Sequence, residues 1–168
     1  MDEALIQKIL SDCESAITNT LIKSKSLLTK TINETIYSPK KPQEYERTYT
    51  FADAWQLGQR KRSARKVSQS LEYDYTIMVY DGNNNVHGNS RVDRRPIMAS
   101  ILENNGINKR NSDFGGALNI SISDSDNYWE NFRNKLDTEI YHYLDDELGK
   151  HGLRRRWVDG FKEYWLWC

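Results

Sequence analysis

Hydrophobic positions near the start of the chain recur at steps of three, four or seven. Ile6, Leu10, Cys13, Ile17, Leu21, Leu28, Ile32 and Ile36 form this series, which is one stripe of an amphipathic helix. No glycine or proline interrupts the chain before Pro39, so the pattern predicts a helix over about residues 3–36, roughly 50 Å long. Its polar positions are mainly Ser, Thr, Asn and Lys rather than dense Glu/Lys pairs, so in isolation it is marginal and its stripe needs a partner. Part of it is expected to pack on a neighbouring chain. Ser38-Pro39-Lys40-Lys41-Pro42 stops the helix and forms an extended connector. Residues 45–57 mix Tyr45, Tyr49, Phe51, Trp55 and Leu57 with polar positions, and a short helix is expected over 51–57. A basic stretch follows, from Arg60 through Lys61, Arg62 and Arg65 to Lys66.

From residue 67 to 80 the period changes to two. Leu71, Tyr73, Tyr75, Ile77 and Val79 alternate with Glu72, Asp74 and Thr76. This predicts one half-buried strand, or two with a break near Gln69. A turn is expected at 81–85. A short helix should start at Pro96 and close at Gly106, and a strand should cover 117–122. Ser123-Asp124-Ser125-Asp126 supplies N-cap residue types for a further helix. Its stripe is Trp129, Phe132, Leu136, Ile140, Tyr143, Leu144 and Leu148, and Gly149 and Gly152 end it. The tail, 153–168, holds Arg154, Arg155 and Arg156 with Trp157, Phe161, Tyr164, Trp165 and Trp167. The whole reads as α+β: a long N-terminal helix, a small antiparallel sheet, a C-terminal helix and an aromatic tail. One domain over 1–168 is expected, divided into the helix (1–37), an α+β body (38–152) and the tail (153–168).

Composition narrows the function. The 168 residues carry 24 Lys and Arg against 24 Asp and Glu, and a net-neutral chain is not a general polyanion binder. The 38% hydrophobic and 11% aromatic content suffices for a modest core. No run is long and apolar enough for a membrane span, and the acidic Met1-Asp2-Glu3-Ala4 start argues against a secretory signal. Cys13 and Cys168 give neither a disulfide framework nor metal spacing, which fits synthesis in a reducing cytoplasm.

Candidates for catalytic or metal chemistry are few. His87, His142 and His151 have no Cys, Asp or Glu at ligand spacing and read as surface residues. Nucleophile-elbow, zinc-helix, P-loop and dinucleotide patterns are all missing. The segment from Asp81 resembles the start of a calcium loop, but Val86 and Val92 stand where Gly and Glu are needed. Asp145, Asp146 and Glu147 read as a solvated helix end. No catalytic residue, metal or cofactor is expected, and no enzymatic activity. The basic stretches 60–66 and 154–156 could meet nucleic-acid phosphates or acidic groups on a neighbour. The tail aromatics either fold back over the sheet or dock on another subunit.

Tyr37-Ser38-Pro39 followed by Tyr45-Glu46-Arg47-Thr48-Tyr49 resembles a pattern of phage morphogenesis proteins, the HK97 gene-product-10-like family of tail-completion or neck proteins. There a long N-terminal helix ends in a Tyr-x-Pro connector, followed by a Tyr-x-Arg-Thr segment and a short amphipathic stretch, here about 51–57. The run from Pro96 to Gly106 is similar to the family's short helix, and 124–149 sits where its C-terminal helix sits. The resemblance covers about residues 1–150; the aromatic tail lies outside it. It implies a non-enzymatic virion protein of the head-tail connector. The expected assembly is a cyclic homo-oligomer, six- or twelve-fold, around the DNA channel. Its expected partners are portal or adaptor proteins, tail-tube or terminator proteins, and DNA passing without sequence specificity. Tyr45, Arg47 and Trp55 would then anchor the connector. Trp157, Phe161, Trp165 and Trp167 would serve subunit contacts. Arg60, Lys61, Arg62, Arg65 and Lys66 would face DNA or an acidic ring. A small nucleic-acid-binding protein using 60–66 and 154–156 is the other reading.

Overall fold

The computed structural model describes residues 2–38, 50–79, 95, 128–156 and 165–166. The connector with Tyr45 and Arg47, the turn expected at 81–85, His87, the helix expected over 96–106 and the strand expected over 117–122 lie outside these residues. So do the N-cap residues expected at 123–126 and Trp157, Phe161, Tyr164 and Trp167 of the tail.

The long helix is present. α1 runs over Glu3–Ile32, thirty residues or about 45 Å, and a π-helical turn, Asn33–Tyr37, extends it. The Asp2 carboxylate accepts the Ala4 N–H at 3.1 Å and caps the free amide end. At the other end the Ser38 N–H reaches back five residues to the Asn33 carbonyl at 2.8 Å. The buried line is Leu10, Cys13, Ala16, Thr20, Ser24, Leu27, Leu28, Thr31 and Ile32. Ile6, Ile17, Leu21 and Ile36 are half-buried at its edges. Hydroxyl residues can line this face because each bonds its own helix. Thr20, Ser24 and Thr31 donate to the carbonyls of Ala16, Thr20 and Leu27 at 2.7–2.8 Å.

α2 is a single turn, Thr50–Asp53, followed by β1, Trp55–Leu57. The helix expected over 51–57 therefore stops at Asp53. Trp55 to Leu57 pair with β4, Leu71–Tyr73. The Asp74 N–H donates to the Ala54 carbonyl at 2.7 Å and the Gly58 N–H to the Ser70 carbonyl at 2.9 Å, so the pair is antiparallel. Between them lies a hairpin of β2, Lys61–Arg62, and β3, Val67–Ser68. Of the two readings of this segment, one strand or two with a break near Gln69, the structure has the second.

The alternation does not continue to residue 80. Asp74 accepts the Thr76 N–H at 3.0 Å and starts a 3-10 turn, Tyr75–Ile77. The side-chain order then inverts. Met78 is buried, while Tyr75, Ile77 and Val79 are 37%, 42% and 57% exposed.

The last helix is a rod of α3, Tyr128–Lys135, a π turn, Leu136–Ile140, and α4, Tyr141–Gly149. Its stop is a Schellman arrangement: the Leu153 N–H bonds the Leu148 carbonyl and the Gly152 N–H the Gly149 carbonyl, both at 3.0 Å. This requires a left-handed residue, and Gly152 supplies it with φ +73°. β5, Arg155–Arg156, pairs antiparallel with β6, Trp165–Leu166, placing Trp165 opposite Arg156. A long N-terminal helix, short antiparallel strand pairs and a C-terminal helix make the fold α+β.

The chain forms two compact units, each assembled from separated segments: 1–25, 57–71 and 135–168 in one, 26–56 and 72–134 in the other. In the first, Cys13, Ala16, Leu148 and Leu153 form a buried cluster with Ile9 and Leu144 against it. In the second, aromatic rings dominate. Phe51 meets Tyr128 edge-on at 5.5 Å, and Trp55 stacks on Trp129 at 5.5 Å and 18°. Tyr73 and Phe132 complete this cluster.

Candidate functional site

Among the described residues expected to meet a partner, those of 60–66 share one hairpin, and Arg156 and Trp165 face each other across a strand pair. The 60–66 stretch forms the β2–β3 hairpin, with Lys61 opposite Ser68 and Arg62 opposite Val67. Its loop is closed by the Ser63 N–H donating to the Lys66 carbonyl at 2.8 Å. The basic stretch is thus a turned two-stranded ribbon. The reason lies at its base, where Gln69 bridges two segments. Its amide donates to the Gly58 carbonyl at 3.0 Å, and its carbonyl accepts the Thr18 hydroxyl of α1 at 2.9 Å.

Arg62 makes a second attachment. Its guanidinium donates to both Glu14 carboxylate oxygens at 3.3 Å, to the Gln7 carbonyl at 3.3 Å and to the Gln7 side-chain oxygen. The Arg62 and Glu14 side chains are 35% and 18% exposed, so the ion pair itself contributes only about 0.2–1 kcal/mol. The fork geometry matters more, because one planar group fixes the hairpin to two turns of the helix. Arg60, Lys61, Arg65 and Lys66 are all exposed, and among the described residues none of them has an ion-pair partner. Arg154 is exposed too, and Arg155 and Arg156 lie in β5.

Trp55 is placed differently from the cations. It is 8% exposed, enclosed by Tyr73 and Trp129. Its indole N–H is buried and finds no acceptor among the described residues.

Glu147 departs from expectation. Read as part of a solvated helix end, it is 2% exposed. The Asn19 amide donates to one carboxylate oxygen at 2.8 Å and the Lys150 ammonium to the other. Lys150 first, then Asn19, hold the carboxyl below the ordinary glutamate value, and Glu147 holds Lys150 above its own. One turn on, His151 Nδ1 lies 3.2 Å from an Asp12 carboxylate oxygen. These contacts clasp α4 to α1 and arrange no nucleophile with a base. Sequence spacing carried no sign of them, since Asn19 and Glu147 are 128 positions apart.

Among the described residues no group of His, Cys, Asp and Glu is placed to hold a metal ion, and no helix is long and apolar enough to cross a membrane. Comparison with protein-family models, with curated proteins and with solved structures finds no match. The functional reading therefore rests on the residues themselves.

Proposed function

We propose that the chain is a structural virion protein of a tailed bacteriophage, a ring-forming neck or tail-completion component between head and tail. The observation that carries this reading is the run Tyr75, Ile77 and Val79. It leaves three large apolar side chains 37–57% exposed within five residues. Scattered exposed apolar residues need no explanation, but a clustered run marks a contact surface. On a chain of zero net charge, no overall repulsion opposes self-association. The connector pattern at 37–49 supplies the kind of assembly.

In this reading the protein performs binding and no catalysis. Each subunit offers an apolar patch to a different surface of its neighbour, a heterologous contact that closes into a ring. Each contact is weak, and repetition around the ring makes the assembly firm. Portal-adaptor and tail-tube or terminator proteins would flank it in the virion, with DNA passing through.

The test is the mass of the purified protein in solution, alone and mixed with portal-adaptor and tube proteins. A closed oligomer is expected in at least one condition, with loss of assembly in the Ile77→Asp, Val79→Asp double variant. A monomer in both conditions would overturn the reading. The alternative, a small nucleic-acid-binding protein, draws on the exposed hairpin cations.

A further inference from the structure

We infer that the β2–β3 hairpin is a preorganised contact for the phosphate backbone of nucleic acid, made by Arg60, Lys61, Arg65 and Lys66, with Arg62 as the positioning residue. The inference rests on the neck reading only for its setting, a DNA channel.

Three observations carry it. First, the four cations lie within seven residues and are exposed, with no internal ion-pair partner among the described residues. They have no salt bridge to break on meeting a phosphate, and in a chain balanced overall they form a local excess of positive charge. The fifth cation is spent: Arg62 would have to release Glu14 and Gln7 to reach a ligand.

Second, the hairpin is held at two points on α1, by Arg62 on Gln7 and Glu14 and by Gln69 on Thr18. A loop free to move would lose conformational entropy on binding, and a pinned one has already lost it.

Third, the residue types select the partner. Positions 58–66 contain no side chain larger than Ala64 that is apolar. A protein interface would call for buried aromatic or aliphatic anchors and few lysines. Two-residue strands are also too short a ribbon to fill a major groove, so the contact is to phosphate and carries no base sequence.

The test is the salt dependence of binding of the full chain to a labelled random-sequence duplex. Each phosphate contact adds about 0.9 to the slope of log affinity against log salt, so four contribute about 3.6. Between about 50 and 200 mM salt that is an affinity loss of about 150-fold beyond any from other cations. The variant Arg60→Gln, Lys61→Gln, Arg65→Gln, Lys66→Gln should therefore bind more weakly, with a slope shallower by about 3.6. Single Lys61→Gln and Lys66→Gln variants should each lower the slope by about 0.9, which keeps the test usable if the fourfold variant misfolds.

Arg62→Gln should weaken binding several-fold while leaving the slope unchanged, because it loosens the hairpin without removing a contact. An unchanged slope in the fourfold variant would overturn the phosphate assignment. So would competition by polyglutamate as effective as by duplex at equal charge. A drop of about 0.9 in Arg62→Gln would overturn its positioning role. Lost DNA binding in a chain that still forms rings would count against the hairpin alone. Intact DNA binding in a permanent monomer would count against the neck reading alone.

Discussion

Leu148→Ala tests the packing that holds α4 to α1. Leu148 is fully buried, and its cluster consists of Cys13, Ala16 and Leu153, with Ile9 and Leu144 against it. Truncation removes the transfer free energy of the lost methyl groups and leaves a cavity. Two of the neighbours, Cys13 and Ala16, are small side chains on a continuous thirty-residue helix and cannot swing in to fill it. The cost should therefore fall at about 3–4 kcal/mol, within the usual range for a buried leucine. For a chain of this length that is a fall in Tm of roughly 10 °C. Urea unfolding followed by helical circular dichroism reads it directly, as a lower midpoint at constant slope. Leu144→Ala is the control. Leu144 is half-buried and should cost about half as much. A Leu148→Ala effect below about 1 kcal/mol, or no larger than that of Leu144→Ala, would refute this account of the core.

The Glu147 carboxyl is held low, so its contribution to stability is present above the ordinary value of 4.5 and is lost as pH falls through the lowered folded value. Glu147→Gln should flatten the acid side of the stability profile, measured as denaturation midpoint against pH; an unchanged acid limb would contradict the clasp. Lys150 is held high, so its contribution is present below 10.5 and is lost as pH rises through its raised folded value. Gly152→Ala should cost about 1 kcal/mol through strain at φ +73° alone, since a Cβ there meets nothing within 4 Å; a neutral result by thermal unfolding would mean the helix stop does not need its left-handed residue. Tyr73→Phe should cost about 1 kcal/mol by losing the hydroxyl bond to the Arg95 carbonyl, 2.6 Å away; an unchanged denaturation midpoint would contradict that bond.

What the sequence made legible follows the range of the interactions involved. α1 was readable because thirty-odd residues without Gly or Pro repeat one period, and only the position of its buried line shifted. Ile17 and Leu21 outrank Thr20 and Ser24 in hydropathy, yet hydroxyls that bond their own helix are cheap to bury. The end at Gly152 was readable because left-handed backbone selects glycine. Short segments were less so. Residues 51–57 hold too few positions to separate a helical from an extended period, and pairing with β4 decided for strand at Trp55. The alternation after Tyr73 looked like a continuing strand until the local Asp74 cap turned it. The candidate site was half legible. The cations of 60–66 stood out by composition, but their sorting into four exposed and one committed residue depends on Gln7 and Glu14, 48 and more positions away. Burial of Glu147 was hidden for the same reason.

Whether this chain builds a ring in the neck of a virion is read from images of the intact particle at side-chain resolution. The expected image is a closed ring of this chain between head and tail, with Tyr75, Ile77 and Val79 covered by a neighbouring subunit and the 60–66 hairpin turned toward the DNA. Particles that lack the chain, or hold it with that apolar run open to solvent, would contradict it.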